Sequence, residues 1–86
     1  MLTLQQISNL PAEEAIVALD TLIAAQPDND EAYLQRGLRH WACGHRAKAV
    51  NDYLKALDIN PESKAARALE YARAIADFYH KDLYNP

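Results

Sequence analysis

DEAYLQRGLRHWACGHRAKAVNDYLKALDINPES, residues Asp30 to Ser63, reads as two helical runs folded about one turn. The first run begins with Asp30, Glu31 and Tyr33, carries a lone Gly37 in its middle, and stops at the polar turn Cys43-Gly44-His45. The second passes through Ala49, Tyr53, Ala56 and Leu57 and is closed by Asn60-Pro61. Ala49 and Ala56 lie two helical turns apart on one face, with Tyr53 between them on that same face. Small residues alternating with an aromatic make a surface of holes and a knob. A Gly inside a helix is unfavourable by about 1 kcal/mol against Ala, so Gly37 marks the point where a neighbouring helix packs close. The stretch therefore predicts two antiparallel helices joined by a tight turn.

The order of residue types along these helices resembles the tetratricopeptide repeat, a helix-turn-helix unit with a period of about 34 residues. Tyr33 stands at the family's first aromatic, Gly37 where the first helix must be thin, Ala49 where the second helix approaches it, Tyr53 at the second aromatic, and Pro61 at the terminal proline. Two positions depart from the pattern: Arg36 replaces the usual large aliphatic residue and His40 the usual aromatic. The resemblance covers about one repeat closely and the flanks more loosely.

Shifting by one repeat length sets Thr3 against Gly37, Ala15 against Ala49, Leu19 against Tyr53, Ile23 against Leu57, and Pro27 against Pro61. Residues 1–29 thus read as a truncated first repeat whose opening helix, Leu2 to Asn9, has only about two turns. Pro11 suits the first turn of the next helix, Ala12 to Ala25, with Glu13 and Glu14 at its positive end. Gln26-Pro27-Asp28-Asn29-Asp30 is a turn that ends in a helix cap. After the full repeat, 30–63, the segment 64–86 forms one long helix from Lys64 to about Leu83, without Gly or Pro. Tyr71 aligns with Gly37 there, so the small-residue logic is dropped, and the helix reads as a cap for the last unit. The expected fold is all-α: five helices in one domain, antiparallel pairs of a right-handed tetratricopeptide-repeat solenoid fragment with a C-terminal capping helix.

Half of the 86 residues are apolar, enough for a single small core. No apolar run approaches the roughly 20 residues that span a bilayer, and Met1 to Gln6 lack the features of a secretory signal. With a single cysteine, Cys43, the expected location is cytoplasmic and no membrane is involved. The net charge of −3, from 9 basic and 12 acidic residues, is unlike a nucleic-acid binder. Arg36, Arg39, His40, His45, Arg46 and Lys48 gather in sequence around the central turn, and we read them as a solvated basic rim.

His40, Cys43 and His45 are each a possible metal ligand, but their spacing bridges a helix end and a turn and lacks the paired Cys and His of zinc sites. Cys43 with His40 one turn away would be a nucleophile and base without a third group to orient the His. With only Gly37 and Gly44, there is no phosphate-binding loop. The expectation is a chain without cofactor, metal or catalysis.

The resemblance implies an inner groove lined by the first helix of each repeat. On the full repeat its positions are Glu31, Leu34, Gln35, Leu38, Trp41 and Ala42, and the capping helix adds Ala65, Ala68, Leu69, Ala72 and Ile75. Relatives that grip a peptide's terminal carboxylate use polar residues where Leu34 and Leu38 stand, which argues against that role here. An apolar groove predicts a non-catalytic interaction module or scaffold that takes a peptide or helix of a protein partner, with Trp41 as anchor. The alternative is a self-associating structural homo-oligomer, such as a homodimer, whose groove is covered by its own Phe78, Tyr79, Leu83 and Tyr84.

Overall fold

The computed structural model describes the backbone of residues 1–84 and side chains as far as Ile75. It is all-helical, with helices α1 (Leu4–Ile7), α2 (Ala12–Ala25), α3 (Asp30–Ala42), α4 (Arg46–Ile59) and α5 (Ala65–Tyr84). Each helix packs chiefly on the next in sequence, α3 on α4 most extensively, and short turns make successive neighbours antiparallel.

Local chemistry accounts for the ends of these helices. Asn29 caps α3, its side-chain oxygen accepting from the Ala32 amide at 3.2 Å. At the other end of α3, the His45 amide donates to the His40 carbonyl (2.8 Å) and the Gly44 amide to the Trp41 carbonyl (3.0 Å). This double closure needs a left-handed residue, and Gly44 supplies it at φ 81°. Pro27 and Pro61 both lie in turns, as equivalent inter-helix positions require. Two boundaries differ from expectation. The opening helix is a single turn, because Thr3 and Gln6 form a reciprocal capping box that starts it at Leu4. Pro11 has ψ 153° and stands just ahead of α2 as its cap residue instead of within its first turn.

The core runs as a strip between successive helices, through Ile7, Ala15, Leu19, Leu22, Ile23, Ala32, Tyr33, Leu34, Ala49, Tyr53, Ala56, Ala65, Leu69 and Ala72. Its tightest point is the α3–α4 crossing. A Cβ built on Gly37 would stand 2.6 Å from a Tyr53 ring carbon and 3.1 Å from the Ala49 carbonyl oxygen. Gly37 is therefore the thin point, and the three residues that meet there are those whose sizes alternate in the sequence.

Among the described residues three polar side chains are buried, His40, Asp52 and Ser63, and the charged one, Asp52 on α4, is 5% exposed. Arg36 grips it with two bonds, Nε to Oδ2 at 2.9 Å and Nη2 to Oδ1 at 2.8 Å, and reaches Asp20 on α2 with Nη1 at 2.9 Å. One guanidinium thereby ties three helices. This corrects the reading of a solvated basic rim: Arg36 and His40 belong to a partly buried network, and Arg39 donates to the Ser8 carbonyl at 3.0 Å. A carboxylate one helix away draws these side chains inward where a large apolar residue was expected.

Candidate partner-binding groove

Two concave surfaces flank α3, on opposite sides of its buried stripe. The first is a cleft of about 400 Å3 lined by Ile16, Asp20, Arg36, His40, Lys48, Asn51 and Asp52. Arg36 is paired there with both Asp20 and Asp52. The Arg36 guanidinium is held even more firmly protonated than usual by its hydrogen bonds to Asp52. His40, 8% exposed, has its pKa lowered from 6.5, first by burial; the Asp52 charge opposes that shift, while Arg36, His45 and Lys48 add to it. Its Nε2 lies 3.9 Å from Asp52 Oδ2 and its Nδ1 3.3 Å from the Nδ1 of His45. No group of three or more His, Cys, Asp or Glu side chains is placed to hold a metal among the described residues. The cleft is a structural staple.

The second is a groove of about 550 Å3 between α3 and α5, within the range of ligand-sized sites. From α3 it is lined by Glu31, Leu34, Gln35, Leu38 and Trp41, which recur every three or four residues and so share one helical face. Leu34 is buried at its base, whereas Leu38 is 41% exposed. Tyr53 of α4 contributes to the floor. Burial, with the nearby Asp52 charge, raises its pKa above the ordinary 10.0, so the ring presents a neutral phenol. Trp41 is half-buried, meets Tyr71 edge-on with ring centres 6.0 Å apart, and carries the Arg46 guanidinium over its face at 5.1 Å.

Comparison of the chain with protein-family models, with curated proteins and with solved structures returns no match.

The far wall departs from the expected one. Ala65, Leu69 and Ala72 are buried in the core, and Ile75, half-buried, does not line the groove. Of the expected positions Ala68 lines it, and Lys64, Arg67 and Tyr71 complete the wall. The offset is about one residue, or roughly 100° of roll about the helix axis. The physical reason is that α5 lays its stripe of Ala65, Leu69 and Ala72 down on α4, which turns the neighbouring stripe toward α3. Lys64, Arg67 and Tyr71 were missed as wall residues, and Tyr53 as floor. Tyr71 carried a signal, since a large aromatic stands there where the repeat has its Gly. The cover expected from Phe78, Tyr79, Leu83 and Tyr84 lies outside the described side chains. Among the described residues no helix is long and apolar enough to cross a membrane.

Proposed function

We propose that this chain is a short solenoid fragment of the tetratricopeptide type, and that it acts as a non-catalytic interaction module in the cytoplasm. On this reading the α3–α5 groove holds a peptide or helix of a protein partner, without cofactor, metal, membrane or nucleic acid. The resemblance is supported by the α3–α4 pair, whose Gly37, Ala49 and Tyr53 meet at its tightest crossing. The function rests on one observation: the groove exposes large apolar side chains where a solvated surface would be polar. Leu38 is 41% and Tyr71 61% exposed, on facing walls beside Trp41. Clustered exposed hydrophobics of this kind mark interaction surfaces, and a half-buried Trp beside a Tyr is the composition of a binding hot spot.

The test uses the chain as bait in host extract, in parallel with Leu38→Asp, which places a charge on the groove wall at an exposed position. A partner retained by the parent chain and lost by a folded Leu38→Asp variant supports the reading. Equal retention by both would place binding elsewhere on the molecule. Light scattering over a range of concentrations addresses the homo-oligomer alternative, which a constant monomer mass would exclude.

A further inference from the structure

The charges around the groove are not those of the chain as a whole. The protein carries a net charge of −3, yet the groove is bordered by Lys64 and Arg67, both exposed, against the single carboxylate of Glu31. Glu31 already accepts from the Gln35 side-chain amide at 3.1 Å. Neither Lys64 nor Arg67 enters an ion pair among the described residues. The two lie three residues apart, on one face at the start of α5, alongside the apolar floor.

Their position makes the pattern more pointed. A helix N-terminus carries partial positive charge and favours acids. Helices α2 and α3 follow this rule with Glu13 and Glu14, and with Asp30 and Glu31, in their first turns. Helix α4, which opens on Arg46 and Lys48, and helix α5 have no acid in the first turn; α5 carries Arg67 there, with Lys64 immediately before it. Lys64 and Arg67 thus stand at the positive end of α5, on the rim of an apolar groove, and no carboxylate among the described residues is bonded to them.

We infer that the occupant of this groove is an acidic amphipathic segment internal to a partner protein, with apolar side chains seated between Leu38, Trp41 and Tyr71 and carboxylates facing Lys64 and Arg67. The inference rests on the groove reading above and adds the charge of the partner. Nothing in it requires a free C-terminus, because the cations border the groove's flank and Leu34 and Leu38 occupy the opposite wall.

A displayed library of random peptides of about 12 residues, each fused at its C-terminus so that no terminal carboxylate is present, tests it directly. Three baits are used: the parent chain, Lys64→Glu/Arg67→Glu, and Leu38→Asp, each first checked for folding by circular dichroism. The expected pool from the parent chain pairs apolar anchors with an excess of Asp and Glu over Lys and Arg of about fivefold, the scale of two rim ion pairs. The double charge reversal should invert that excess, and Leu38→Asp should abolish recovery. A neutral or basic pool that still depends on Leu38 overturns the inference while the groove reading stands. A pool indifferent to Leu38→Asp, or no enriched pool, overturns the groove reading and the inference with it. Trp41 is the sole tryptophan, and emission that shifts with protein concentration alone identifies a second copy as the occupant, which also overturns the inference.

Discussion

The two sides of α3 invert the usual association of polar residues with solvent and apolar residues with the interior. On one side Arg36 and His40 are drawn in against Asp52, with Asp20 completing the network from α2. On the other side Leu38 and Trp41, together with Tyr71 of α5, stay partly in water. The difference lies in what each side faces. The polar side meets α2 and α4, close enough for Arg36 to find both Asp20 and Asp52. The apolar side meets only the edge of α5, whose own buried stripe is committed to α4, and a groove is left open. Polarity alone does not decide burial; complementarity with the neighbouring helix does.

The largest expected effect breaks the closed side. Asp52→Ala leaves Arg36 and His40 without their carboxylate, and removing one partner of a buried pair destabilises by about 3 kcal/mol. Urea denaturation should show this as a lower midpoint. Because Asp20 is well exposed, Asp20→Ala should lower the midpoint far less, by about 1 kcal/mol or under. Equal losses from the two would mean that the staple does not centre on Asp52.

Between the two sides lies the helix crossing, and Gly37→Leu should overpack it. With Tyr53 already 2.6 Å from where a Cβ would sit, the expected loss is about 2 kcal/mol in spite of leucine's better helix propensity. A melting temperature unchanged or raised would place the close approach elsewhere.

On the open side the same kind of truncation should act on binding more than on folding. Trp41 is only half-buried, so Trp41→Ala is expected to destabilise by about 1 to 2 kcal/mol, below the roughly 3 to 5 kcal/mol of a core aromatic. Partner binding should be lost. A stability loss at the core value would make Trp41 part of the interior and close the contrast between the two sides.

The smallest effect is a dependence on pH confined to the closed side. Burial lowers the His40 pKa in the fold, so between the folded and unfolded values the unfolded chain binds more protons and stability rises with pH. The contribution is fully present above the unfolded value near 6.5 and is lost as pH falls below it. Urea midpoints at about pH 7.5 and pH 5.5 should differ in that direction, and His40→Phe should reduce the difference. A midpoint that rises on acidification would mean that the Asp52 charge outweighs burial.

The sequence by itself determined the number of helices, most of their ends and the tight crossing. Those features are encoded within a few residues of one another: a helical period, a cap ahead of Asp30, the turn at Gly44, and Gly37 opposite Ala49 and Tyr53. Of the α3 wall that the family resemblance implied, Glu31, Leu34, Gln35, Leu38 and Trp41 line the groove and Ala42 does not. Only the tertiary structure decided the Arg36–Asp52–Asp20 network and the roll of α5. Arg36 meets carboxylates 16 residues away in either direction, on two other helices, and no local rule selects those partners. Helix α5 is rich in alanine on several faces, so more than one stripe could have been laid against α4. Which of them faces the groove depends on the fit of Ala65, Leu69 and Ala72 to α4, and packing between surfaces distant in sequence settles that choice.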